Sequence, residues 1–158
     1  MIRVEREIDV ERSADEVFDR LTRIEDLPRW QPEISEAGLE SAPPLRVGSR
    51  IRIVATVAGQ RIVATGTVTH LERPTRIALV ANAGSADVEG AVSIAATGAN
   101  ACRVGLVTAV RLNGLLRFVE GVARSRIQAE APAVAASVKA WLEADEPVAY
   151  DAADRAAG

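Results

Sequence analysis

The stretch Gly114–Ala144, GLLRFVEGVARSRIQAEAPAVAASVKAWLEA, decides the fold. Leu116, Ala123, Ile127, Val134, Val138, Trp141 and Leu142 fall at helical spacing, with Arg117, Glu120, Arg124, Glu130 and Lys139 between them. That spacing predicts one long amphipathic helix. Pro132 lacks an N–H and clashes with the preceding turn, so it is expected to kink or split the helix near Ala131. Everything upstream reads as short strands and small helices. A sheet with an apolar face needs a cover, and only this stretch is long enough to supply one.

Working backwards, turn signals divide the middle of the chain into six strands. Glu33–Glu40 is a weak strand closed by Ala42-Pro-Pro44. Arg50–Val57 turns at Ala58-Gly59-Gln60 into Arg61–Leu71. After Arg73-Pro74-Thr75 come Arg76–Ala81, Ala86–Ala96 and Cys102–Leu112. Links this short predict an antiparallel meander. At the N-terminus, Ile2, Val4, Ile8 and Val10 alternate with charged residues, which predicts a half-buried strand interrupted on its apolar face by Arg6. Ser13-Ala-Asp-Glu16 is a capping box that opens a short helix carrying Val17, Phe18 and Leu21 inward. Thr22-Arg-Ile-Glu25 repeats the pattern and predicts a second short helix through Leu27, followed by Pro28, Trp30 and Pro32.

The 158 residues are enough for one domain with a substantial core. Formal net charge is −3, which argues against a nucleic-acid partner, because phosphate binding needs a basic face. No apolar run reaches membrane-spanning length. The first residues read as a charged strand and not as a signal peptide. Cys102 is the only cysteine and His70 the only histidine, so neither a disulfide nor a metal cluster is expected. The segment 144–158 is acidic and alanine-rich and is expected to be a flexible tail.

The order strand, two small helices, six-strand meander and long terminal helix resembles the helix-grip fold of the START-like (SRPBCC) superfamily. It is most similar to the bacterial polyketide cyclase/dehydrase and lipid-transport group. Ile8-Asp-Val-Glu-Arg-Ser-Ala-Asp-Glu-Val-Phe18 and Ile24-Glu-Asp-Leu-Pro-Arg-Trp-Gln-Pro32 carry the resemblance, with Gly48-Ser49, Arg103-Val104 and Leu115-Leu116. It covers residues 1–143. It implies an α+β fold in which a curved seven-stranded antiparallel sheet wraps the long helix, with an apolar cavity between them. A cytoplasmic bacterial protein fits the composition, and within this family the expected function is binding or transport of a small hydrophobic ligand, lipid or polyketide-like, with no cofactor expected. Because fold does not fix function, a polyketide cyclase/dehydratase using His70 as acid/base is the alternative.

Inward alternation groups Ile51, Ile53, Ala55 and Val57 with Ile62, Ala64, Gly66 and Val68. It continues through Val88, Gly90, Val92 and Ile94, then Val104, Leu106, Val110 and Leu112. Many of these residues are small, which favours an internal pocket. Trp30, Ile53, Val68, His70, Val92, Leu106, Thr108, Val119 and Ala123 are expected to contact the ligand. By alternation His70 shares the face of Ile62, Ala64 and Val68, where an imidazole could move a proton. Arg6 on its apolar face calls for an anionic partner, a ligand carboxylate or, as the expected case, an acid of the chain. Cys102 reads as a passive small residue.

Overall fold

The computed structural model describes residues 1–57 and 59–144, so the expected tail lies outside the described residues apart from Ala144. β1 (Ile2–Val10) is followed by α1 (Ala14–Leu21), a 3-10 turn (Ile24–Asp26) and the short α2 (Leu27–Trp30). Then come β2 (Ile34–Leu39), β3 (Arg50–Val57), β4 (Gln60–Glu72), β5 (Arg76–Asn82), β6 (Ala86–Gly98) and β7 (Ala101–Leu112). A 3-10 segment (Gly114–Val119) leads into α3 (Glu120–Glu143).

The strands form one antiparallel sheet in the order β1-β7-β6-β5-β4-β3-β2. Consecutive strands pair, and β7 returns to pair with β1, so β1 and β2 are the two edges. The register settles which residues share the inner face. Val10, Ile8, Arg6, Val4 and Ile2 oppose Cys102, Val104, Leu106, Thr108 and Val110. Those in turn oppose Ala96, Ile94, Val92, Gly90 and Val88. Ile77, Leu79 and Ala81 continue the face on β5, and Ile51, Ile53 and Ala55 on β3.

One end of this face is closed. Val17, Phe18, Leu21, Ile24, Leu27 and Trp30 from the small helices pack with Val10, Ile51, Ile77, Ile94, Cys102 and Val104 of the sheet and with Val138 and Leu142 of α3. Ser13 caps α1 as expected, its Oγ accepting from the Glu16 N–H at 3.2 Å. Thr22 does not cap the next turn. Its backbone is helical and its hydroxyl donates back to the Phe18 carbonyl at 2.9 Å, so it ends α1 instead. Gly66 is required here, because a Cβ would lie 2.8 Å from the fully buried Ile51 side chain.

α3 lies along the free edge of β1. Glu120 accepts from the Met1 amine at 2.7 Å, Lys139 donates to the Asp9 carbonyl, and Glu143 accepts from the Glu11 N–H at 2.9 Å. These contacts tie α3 to both ends of the edge strand. The helix runs through Pro132 without being split. The expected single helix over Gly114–Ala144 is instead a 3-10 segment followed by α3.

Candidate ligand-binding site

Beyond the closed end, the inner face opens. Val4, Ile62, Ala64, Val88, Gly90, Val92, Leu106 and Val110 are each only half-buried. The two inner-face glycines define the contrast. At Gly66 a Cβ would strike Ile51, whereas at Gly90 no heavy atom lies within 4 Å of one. The inner face therefore carries half-buried apolar surface with free space above Gly90, between Leu79 on one side and Thr108 on the other. Over this half, α3 presents half-buried Ala123 and Ile127, while Val119 and Val122 are exposed.

The expected ligand contacts fall into four groups. Ile53, Val92 and Leu106 are half-buried on the inner face, and Thr108 is exposed on it. Val68 is on the inner face and fully buried. Trp30 is buried in the core, where its ring stacks on Trp141 at 6.3 Å between centroids. Val119 is half-exposed just before α3, and Ala123 half-buried within it.

His70 is a correction. The β4–β5 register shifts between Val68 and His70, so that Val68 opposes Leu79 while His70 opposes Ala78. Thr69 is the extra residue of a β-bulge. Leu79 belongs to the inner face and Ala78 to the outer, so Leu71 and not His70 continues the face of Val68. His70 is exposed on the outer surface.

Arg6 is a second correction. No acid of the described chain pairs with it, and its one hydrogen bond is a 3.5 Å contact to the Glu5 carbonyl. Buried Asp26 Oδ2 and Trp30 Nε1 find no hydrogen-bond partner among the described residues. Glu130 takes a hydrogen bond from Arg126 at 3.1 Å, which holds its carboxyl below the ordinary range, helped by Glu33. Glu33, just before β2, is pushed up by burial and by sharing a proton with Glu130. Burial also pushes the Cys102 thiol up, away from the thiolate a nucleophile requires. Among the described residues no group of three or more His, Cys, Asp or Glu could hold a metal, and no helix is long and apolar enough to cross a membrane.

Sequence reasoning passed over Arg20. It is buried under the end of α3, donating to the Trp141 carbonyl at 2.8 Å and the Leu142 carbonyl at 3.1 Å. Its position one residue before the apolar Leu21 gave no sign of this, because the carbonyls it caps lie more than a hundred residues away.

A sheet that grips a long helix around an apolar inner face defines the helix-grip class of START-like proteins. Residues 1–143 match the profile described as "Polyketide cyclase / dehydrase and lipid transport", and the chain belongs to that family. Among solved structures it is similar to the Zhui aromatase/cyclase from Streptomyces sp. R1128, with 17% identity, TM-score 0.72, and 89% of this chain and 93% of that one covered. It is also similar to a START superfamily protein from Mycobacterium smegmatis, with 19% identity, TM-score 0.68, and 88% and 98% covered. A third is the di-domain ARO/CYC BexL from the BE-7585A biosynthetic pathway, with 22% identity, TM-score 0.68 and 88% of this chain covered. The chain spans 45% of BexL, about half its length. At these identities the likeness shows the fold. No curated protein matches the chain.

Proposed function

We propose that the protein binds and carries a small hydrophobic molecule, lipid or polyketide-like, in the trough between the sheet and the first half of α3. The observation that carries this reading is the free space over Gly90 in a largely apolar, half-buried surface. Apolar area left open to water is a standing driving force for ligand uptake, at about 25 cal/mol per Å² buried. Membership of a family described by cyclase and lipid-transport functions agrees with it.

The cyclase/dehydratase alternative gave His70 the acid/base role. That role needs the imidazole within hydrogen-bond reach of a bound substrate, and the bulge at Thr69 turns it to the other side of the sheet. Binding without chemistry at His70 is the reading adopted.

The test uses Nile red, a neutral dye that fluoresces in apolar surroundings. Gly90→Leu and Val92→Trp fill the trough and should weaken dye binding by about tenfold or more, with melting temperature as the folding control. Dye affinity unchanged in both folded variants would overturn the reading.

A further inference from the structure

The inner face is apolar apart from Arg6 and Thr108 over its middle, and these two lie together. Arg6 opposes Leu106, and Thr108, two residues along β7, opposes Val4. They are diagonal neighbours on one face of an antiparallel pair, at a spacing of about 7–8 Å that a long side chain bridges. Gly90, with its free space, is directly across from Thr108 on the other side.

Arg6 differs from the other arginines of this ladder. On the outer face Arg3 pairs with Glu5 at 2.6 Å and Arg103 with Asp9 at 3.0 Å. Alternation places Glu5 and Glu7 on that outer face too, away from the Arg6 side chain. The acids of α3 are committed elsewhere: Glu120 to the Met1 amine, Glu130 to Arg126, and Glu143 to Lys139. The Thr108 hydroxyl makes no hydrogen bond within the described chain. Two donors, Arg6 holding only a 3.5 Å contact to the neighbouring Glu5 carbonyl and Thr108 holding none, therefore share an apolar surface beside open space. A guanidinium is permanently charged and presents a fork of N–H donors suited to a carboxylate or phosphate.

We infer that the trough selects amphiphiles carrying one negative group, carboxylate or phosphate, which Arg6 binds and Thr108 seconds while the apolar body lies along the inner face. The inference rests on the trough being the ligand site, as proposed above.

The experiment compares dodecanoate, dodecyl phosphate and neutral dodecan-1-ol as displacers of Nile red from the full chain, below micelle-forming concentrations. Wild type should prefer the anions over the alcohol by roughly tenfold or more, as expected of a charge-assisted hydrogen bond. Arg6→Gln should remove that preference while leaving dodecanol binding intact, and Arg6→Lys should restore part of it. Arg6 is exposed and makes no ion pair, so these variants should fold as wild type does. A tighter phosphate identifies a phospholipid-like source and a tighter carboxylate a fatty or polyketide acid; either order supports the inference. Wild type without anion preference, or a preference that survives Arg6→Gln, overturns it. Gly90→Leu separates the two claims. If it weakens all three ligands while Arg6→Gln changes none, the trough stands and the anion site falls. If Arg6→Gln removes the preference while Gly90→Leu has no effect, the anion binds outside the trough and both fall.

Discussion

The two halves of the C-terminal helical stretch are made of the same residue types and have opposite fates. From Ala131 onward, Ala131, Ala135, Val138 and Leu142 are buried, and Arg20, Lys139 and Glu143 fix the helix end to α1 and β1. Before it, Leu115 is 84% exposed, Phe118 87% and Val122 75%. The difference is not in the hydrophobic pattern but in what stands opposite. The small helices exist only at the closed end, so only there does the apolar stripe meet a second layer. Periodicity tells which face of a helix is apolar; it does not tell whether that face is covered. Pro132 sits at the junction, where its missing N–H leaves the Gln128 carbonyl without its helical donor.

The largest expected effect sets the two halves directly against each other. Leu142→Ala should lose about 2–5 kcal/mol of stability, the cost of a cavity in a closed core, since Leu142 is fully buried. Phe118→Ala should change it by no more than about 0.5 kcal/mol. Urea unfolding of both variants checks this, and equal losses would break the comparison.

Pro132→Ala should act next most strongly, raising stability by up to about 3 kcal/mol as the helix interior regains a donor and loses a clash. Hydrogen exchange should show residues 120–130 less protected than 134–143 in wild type, with the gap narrowing in the variant. Arg20→Gln should cost about 1–3 kcal/mol, because the Trp141 and Leu142 carbonyls lose a charged donor.

The smallest effect concerns Glu33 and Glu130, which meet just before Pro132. Glu33 is pushed above its ordinary value of 4.5 by burial and by Glu130, so the folded state holds its proton more tightly than the unfolded one. That contribution is full below the ordinary value and is lost as pH rises through the folded value. Glu130 is held below 4.5 by Arg126 and Glu33, so its contribution is present above the ordinary value and lost as pH falls through the folded one. Glu33→Gln, which keeps the protonated shape, should flatten the fall in melting temperature that Glu33 contributes as pH rises above 4.5. An unchanged slope would show that the pair does not join the first half of α3 to the β2 side.

Strand positions and inner-face groupings were legible because alternation and turn residues are local. Arg50–Val57 was read to the residue, and the others to within one or two. Most of the misreadings depend on distant parts of the chain, and that at Thr22 on its own backbone. The bulge at Thr69 is fixed by pairing with β5, and Thr-His-Leu carries no local sign of it. Thr22 stands where either an N-cap or a helix end fits the sequence, and the helical backbone decides. Arg6 was expected to find an internal acid, but the candidates on neighbouring elements were already paired. The apolar inner face was readable; its closed and open ends were not, because they depend on how far the small helices reach.

The attachment of α3 along β1 has a consequence for synthesis. α3 follows every strand of the sheet in the chain, so until it is made the open half of the inner face is bare. Unpaired strand edges and open apolar surface are what aggregating intermediates share. A folding intermediate with the sheet formed and α3 undocked would hold that sheet with nothing to grip, and it is the species expected to aggregate first.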